Sequence, residues 1–187
     1  MNHLKMEFFK KPLTAIIIAV ILCSGILVVN TQVKLGNEID AVEDAFFDNV
    51  EGQRSIYTRL QEKLQAVNGV WTILSRYDED AALELSYEQD YLQWACDSAN
   101  ISSMFYANED LNSEFNSALR TLDGCELTDD EKADLASYVE SFNGAQKMID
   151  ENSYSSQVLS FIRSTYNKFP TKDLAEFAGV YPPETFS

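Results

Sequence analysis

Between Lys11 and Lys34 the chain carries 22 consecutive uncharged residues, and from Leu13 to Val29 the only polar side chains are Thr14 and Ser24. As a helix rising 1.5 Å per residue, this run reaches about 33 Å, enough to cross a bilayer core. A cleaved signal peptide has a shorter apolar part, about 7–15 residues, followed by small residues at the cleavage site. Here the run continues into Val29-Asn30-Thr31-Gln32 without that pattern, and Cys23 follows Val20-Ile21-Leu22, which offers no small residue for lipoprotein processing. The expectation is a retained anchor over residues 12–33, the part of the chain that meets the lipid bilayer. Lys5, Lys10 and Lys11 before it, against Lys34 after it, favour a cytoplasmic segment 1–11 and an extracytoplasmic body over 34–187.

Charge separates the chain into two objects. The 187 residues sum to −16, yet residues 31–187 alone hold 11 basic and 29 acidic side chains, a balance of −18. A body this acidic repels nucleic-acid phosphates and anionic headgroups, so a nucleic-acid partner is not expected. His3 is the only histidine. No catalytic residue, cofactor-binding residue or metal ligand is therefore assigned from the sequence: imidazole-based triads and histidine zinc sites need residues the body lacks. The acids at Glu38, Asp40, Glu43, Asp44, Asp48 and Glu51, and those from Glu126 to Asp134, read as solvated helix faces, with no calcium-loop pattern among them. A non-enzymatic protein is expected. The juxtamembrane acids would also hold the body off an anionic lipid surface.

The stretch from residue 13 to 169 contains no proline, which favours helices. Leu35, Ile39, Val42, Phe46 and Val50, then Tyr57, Leu60, Leu64, Val67, Trp71 and Leu74, recur at spacings of three and four. With Gly52 between the two sets, this is one long helix or two with a bend. The same stripe over 39–74 has a coiled-coil rhythm that would suit self-association. Tyr77 to Asp80 reads as a break. Leu85, Tyr91, Trp94, Ala95, Ile101, Phe105, Leu111, Phe115, Leu119 and Leu122 follow with a weaker rhythm and an irregularity predicted around Asn100 to Asn112, and the segment stops at Asp123-Gly124. Thr128 and Glu131 have capping-box spacing. Leu135, Val139, Phe142, Gln146 and Ile149 then form an inward face, and a slip is predicted near Asn152-Ser153 before Tyr154, Val158 and Phe161. The predicted class is all-α: an N-terminal transmembrane helix followed by a long antiparallel helical bundle.

The terminal run FPTKDLAEFAGVYPPETF, Phe169 to Phe186, resembles the closing signature of the LemA family. Phe169 and Pro170 match its Phe-Pro pair, Ala175 its alanine, Gly179 its glycine and Phe186 its final aromatic. Val180 stands where the family usually has phenylalanine. Tyr154, Val158 and Phe161 resemble the preceding Tyr-Asn repeat, with Ser155 and Ile162 in place of the asparagines and one more residue before Phe169. Leu111 to Phe115, with Leu119 and Leu122, resembles the family's middle helix, whereas its early Arg-Arg-x-Asp-Leu-Ile-Pro-Asn-Leu motif leaves only Arg54. The resemblance implies a membrane-anchored helical protein of unsettled biochemistry.

In the tail, Pro170 is predicted to end one helix, Thr171 to cap a short one and Gly179 to close it in a left-handed conformation. Phe169, Phe177, Tyr181 and Phe186 are predicted to pack, so that residues 169–187 lock onto the bundle. An exported compartment permits a Cys96–Cys125 disulfide, and an unpaired structural pair is the alternative. The functional expectation is a membrane-anchored scaffold or adaptor of the cell envelope, with membrane or envelope proteins as partners. The rival is an extracytoplasmic sensor that binds a small ligand or cation between helices. A polar internal pocket would favour sensing, and an exposed apolar stripe would favour scaffolding.

Overall fold

The computed structural model describes residues 12–49 and 54–187, with side chains from residue 16 onward, so His3, Lys5, Lys10, Lys11, Val50, Glu51 and Gly52 lie outside the described residues. Helix α1 spans Pro12–Phe47, α2 Ile56–Leu74, α3 Glu79–Asp97, α4 Ile101–Asp123, α5 Asp129–Asp150 and α6 Tyr154–Phe161. A π turn, Ile162–Tyr166, continues α6, and α7 spans Thr171–Ala178. No strand occurs among the described residues. The expected all-α class holds.

Contacts divide the chain into two compact units, Met1–Ala41 with Ser160–Pro183, and Val42–Leu159 with Glu184–Ser187. In the second, α2 packs chiefly on α5, and α3 on α4, with α3 and α4 also touching α2. Leu60, Leu64, Val67 and Leu74 of α2, Leu85 and Leu92 of α3, Met104, Leu111 and Phe115 of α4, and Phe142 of α5 are all buried. Each such side chain contributes roughly 1.5–3 kcal/mol when fully removed from water. The α2 part of the stripe expected to support self-association is thus largely covered by this chain's own helices, although Trp71 stays 37% exposed. Gly69 lets α2 come close to α5: a Cβ there would lie 2.5 Å from the Tyr138 ring.

Helix starts follow side chains that accept from free backbone N–H groups. Ser55 accepts from Thr58, Asp78 from Ala81, and Asn100 from Ser103. Thr128 and Glu131 form both halves of the expected capping box. The predicted irregularity is shorter and earlier than the sequence suggested. The chain turns at Ser98–Asn100, where Ala99 takes φ +50°, and α4 then runs unbroken from Ile101 through Asn112. Asn100 opens no defect: its side chain is the cap that begins the helix.

The last residues are stitched down within the second unit. Phe186 lies 5.4 Å from the rings of both Phe46 and Phe105. Its N–H donates to Ser155 Oγ at 3.1 Å, and Ser155 Oγ donates to its carbonyl at 2.9 Å. Tyr154 donates to the Glu184 carbonyl, and the Glu184 carboxylate accepts from Ser102 N–H in the first turn of α4, where the helix dipole favours an anion.

In the first unit, Leu35 and Ile39 of α1 form a small core with Tyr166 and Ala175, flanked by Phe161 and Val180. Gly179 adopts φ +69°. Val180 N–H donates to the Ala175 carbonyl and Gly179 N–H to that of Glu176, the paired bonds of a Schellman ending. Tyr166 donates to the Val180 carbonyl at 2.8 Å. The start of α7 departs from expectation: Pro170 occupies the cap position without a side-chain bond, and Thr171 is already helical. The packing expectation also needs correction for three of four aromatics, since Phe169, Phe177 and Tyr181 are 87%, 80% and 78% exposed. The amphipathic period of α7 spends its inward positions on Leu174 and Ala175, which turns Phe177 outward.

Thr128→Ala removes an N-cap acceptor and is expected to cost about 1 kcal/mol. Urea unfolding checks this, and an unchanged midpoint would contradict the role given to the cap.

Candidate functional site

The most unusual group in the second unit is Lys63, a lysine with no exposed surface. It lies between Leu60 and Val67 on the inward face of α2, so the helical period that buries the leucines buries the ammonium too. An unpartnered charge there would be strongly destabilising. Its three N–H donors meet three amide oxygens: Asn108 Oδ1, Asn112 Oδ1 at 2.5 Å and Gln146 Oε1 at 2.6 Å. Nζ also sits 4.3 Å from the Phe142 ring centroid, and Phe142 stacks on Phe115 at 3.7 Å.

Carboxylates orient the amides from behind. Gln146 Nε2 donates to Asp150 at 2.7 Å, and Asn112 Nδ2 reaches Glu109 at 3.5 Å. Negative charge therefore reaches the ammonium through dipoles. Burial pulls the Lys63 pKa down from 10.5 to about 7, while Glu109 and Asp150 oppose the shift. The charged form uses every donor, so the group is built to hold α2, α4 and α5 together through polar contacts. Asn108, Glu109, Gln146 and Asp150 also line one side of an open cavity of about 200 Å³, with Phe105 and Phe186 among its apolar walls. No cluster of three or more acidic, cysteine or histidine side chains suited to a metal occurs among the described residues.

Lys63, Asn108 and Asn112 were not singled out from the sequence. The available signal was a polar residue in phase with an apolar stripe, which Gln146 also shows and which did place Gln146 on the inward face of α5.

A second feature lies on α3. Leu83, Tyr87, Tyr91 and Trp94 recur at four, four and three residues; Leu83, Tyr87 and Trp94 are 50%, 62% and 57% exposed. Tyr91 stacks on Trp94 at 5.9 Å. The inward side of the same helix is supplied by Ala82, Leu85, Leu92, Ala95 and Cys96. Acids accompany this helix: burial and then Asp110 push the Glu88 carboxyl upward, and burial followed by Glu84 and Glu88 does the same to Glu114. Helix α3 carries six acidic side chains and no basic one.

The tail residues singled out from the sequence do not converge on chemistry. Ala175 is core, Gly179 closes α7, Pro170 precedes it, Phe169 is exposed and Phe186 packs between Phe46 and Phe105. Of the two readings given for the cysteines, the structure carries the unpaired one: Cys96 and Cys125 are both free. Cys96 precedes α4 and Cys125 follows it, so the 23-residue helix holds them apart by about 34 Å of rise, far beyond the Cα separation of about 7 Å that a bridge tolerates. Cys96 is buried, and burial raises its thiol pKa to about 11.

No family model, curated protein or solved structure matches the chain.

Two outcomes follow. Below pH 7 both folded and unfolded chains protonate Lys63, and the burial penalty is fully present. Above it the folded chain releases a proton that the unfolded chain keeps until its ordinary value of 10.5. Lys63 therefore makes stability rise with pH, by roughly 1 kcal/mol per unit between pH 7 and 9, before Cys96 opposes it from its ordinary value of 9.0 upward. Urea midpoints should show this rise and Lys63→Met should flatten it; equal slopes would refute the assignment, and an Nζ NMR titration reads the same group directly. For the thiols, intact mass should be unchanged by reductant, with Cys125 alkylated well before Cys96 in the folded protein. Loss of two mass units on oxidation of the isolated protein would contradict the separation.

Proposed function

We propose that this chain is a membrane-anchored, non-catalytic scaffold or adaptor of the cell envelope: an antiparallel helical bundle of the LemA kind carried on one N-terminal span, with the body extracytoplasmic. The observation that carries it is the exposed set Leu83, Tyr87 and Trp94, joined by the half-buried Tyr91, on a helix whose inward side is buried. An apolar face left in water beside acidic residues suits a partner helix with an apolar strip and basic flanks. Leu83, Tyr87 and Trp94 supply the anchors, while Glu84 and Glu88 select charge.

Retention of the span is supported by α1 itself. Its described part is long and apolar enough to cross a membrane, and the apolar run passes without interruption into the segment where Leu35 and Ile39 pack. The LemA reading gains support from the π turn. Asn167 N–H donates to the Ile162 carbonyl at 2.9 Å, five residues back, so this turn takes up one residue more than an α turn. That is the residue by which the spacing from Phe161 to Phe169 exceeds the family pattern.

The cavity bordered by Glu109 and Asp150 favours a second reading, an extracytoplasmic sensor of a small ligand or cation acting through a membrane partner. In-membrane photocrosslinking from positions 87 and 94, with Gln65 on α2 as the control position, tests the first. Capture of a discrete envelope protein, reduced at least several-fold when the other of the two positions is changed to serine, is expected. Recovery of self-contacts alone would sink it. Thermal stabilisation by calcium or magnesium that Asp150→Asn abolishes would move the assignment to the sensor.

A further inference from the structure

Phe169, Phe177 and Tyr181 are the most exposed of the large apolar side chains among the described residues, more so than any of those in the apolar run of α1, where exposure does not exceed 64%. They do not belong to a loose end. The Schellman bonds at Gly179, the Tyr166–Val180 hydrogen bond and the core of Leu35, Ile39, Tyr166 and Ala175 hold this segment in place. An ordered, hydrogen-bonded segment that presents three aromatic rings outward is arranged to meet another phase or surface.

Its position within the first unit identifies which. Thr165, Thr171 and Leu174 share a groove with Thr31, Lys34, Leu35 and Glu38 of α1. Val29 closes the apolar run, so Thr31 to Leu35 lies about 3–9 Å beyond it along the helix axis. The headgroup layer occupies about 5–8 Å on each side of a bilayer core. Charge agrees with that position. Residues 160–183 hold three basic side chains, Arg163, Lys168 and Lys172, against two acidic ones, Asp173 and Glu176. The rest of 31–187 holds 8 basic and 27 acidic, from 11 minus 3 and 29 minus 2. At a balance of +1, this segment is not repelled by an anionic headgroup layer as the body as a whole is.

We infer that the α7 segment is an interfacial membrane anchor, in which Phe169, Phe177 and Tyr181 enter the headgroup layer beside the point where α1 leaves the bilayer. Aromatic rings favour that layer because it accepts an apolar body and a polar edge together. The inference rests on the reading that α1 spans the membrane. It deepens that reading by giving the body a second lipid contact, close to the first.

The full-length chain in phosphatidylcholine vesicles tests it. In a Trp71→Phe, Trp94→Phe background, Phe177→Trp or Tyr181→Trp supplies a single indole at an exposed position, and Ile21→Trp reports on the span. Acyl chains brominated at shallow or deep positions serve as quenchers. Blue-shifted emission, with loss of intensity strongest for shallow bromines at 177 or 181 and for deep bromines at 21, is expected. Quenching at 21 without quenching or a blue shift at 177 and 181 would overturn the interfacial anchor and leave the span standing. Absence of quenching at 21 would overturn the span and the inference with it.

Discussion

An ammonium group without water must find three acceptors, and much of the helical arrangement around Lys63 meets that requirement. Its partners come from two other helices, and the ring beneath it belongs to one of them. Apolar packing alone tolerates sliding, since one leucine can replace another with little loss. A lysine whose donors fit only one set of oxygens tolerates much less. The stacked Phe115 and Phe142 rings add an apolar floor on which the charge can rest. The polar cluster therefore specifies how α2, α4 and α5 register, while the leucines around it supply most of the favourable burial.

The sequence was most legible where a local pattern causes a local structure. Thr128 and Glu131 announced a helix start because the two groups satisfy each other's backbone, whatever the rest of the chain does. Gly179 announced its left-handed ending for the same reason. Periodicity located the helices and placed Gln146 inward, but it offered no reason to look for a buried lysine, since long polar side chains usually reach water from such positions. The aromatic tail shows the limit differently. Eight helical residues cannot bury every ring, and it is Ala175, not Phe177, that packs with Leu35 and Ile39. Cys96 and Cys125 looked compatible in composition, yet the intervening helix is straight chain length, which a count of spacing alone does not convert into distance.

The two faces that carry the functional readings differ in origin. On α3 the inward side is filled with small and branched residues, so Leu83, Tyr87 and Trp94 are left on the outside with acids around them. On α7 a short helix is fixed by its ends and by one small core, and its rings are left over. In both places tight local order and exposed apolar surface occur together. This combination is costly in water and is consistent with surfaces that spend their working life covered.

The amides around Lys63 also determine how the chain could change. A carboxylate at Asn108 would face the ammonium directly and hold it charged throughout the neutral range, whereas the amide leaves it near the point of losing its proton. Asparagine and aspartate codons differ by a single base. Drift from one to the other would exchange a proton-responsive joint for a permanent ion pair, so a lineage that keeps asparagine here keeps a joint whose strength follows the acidity of its surroundings.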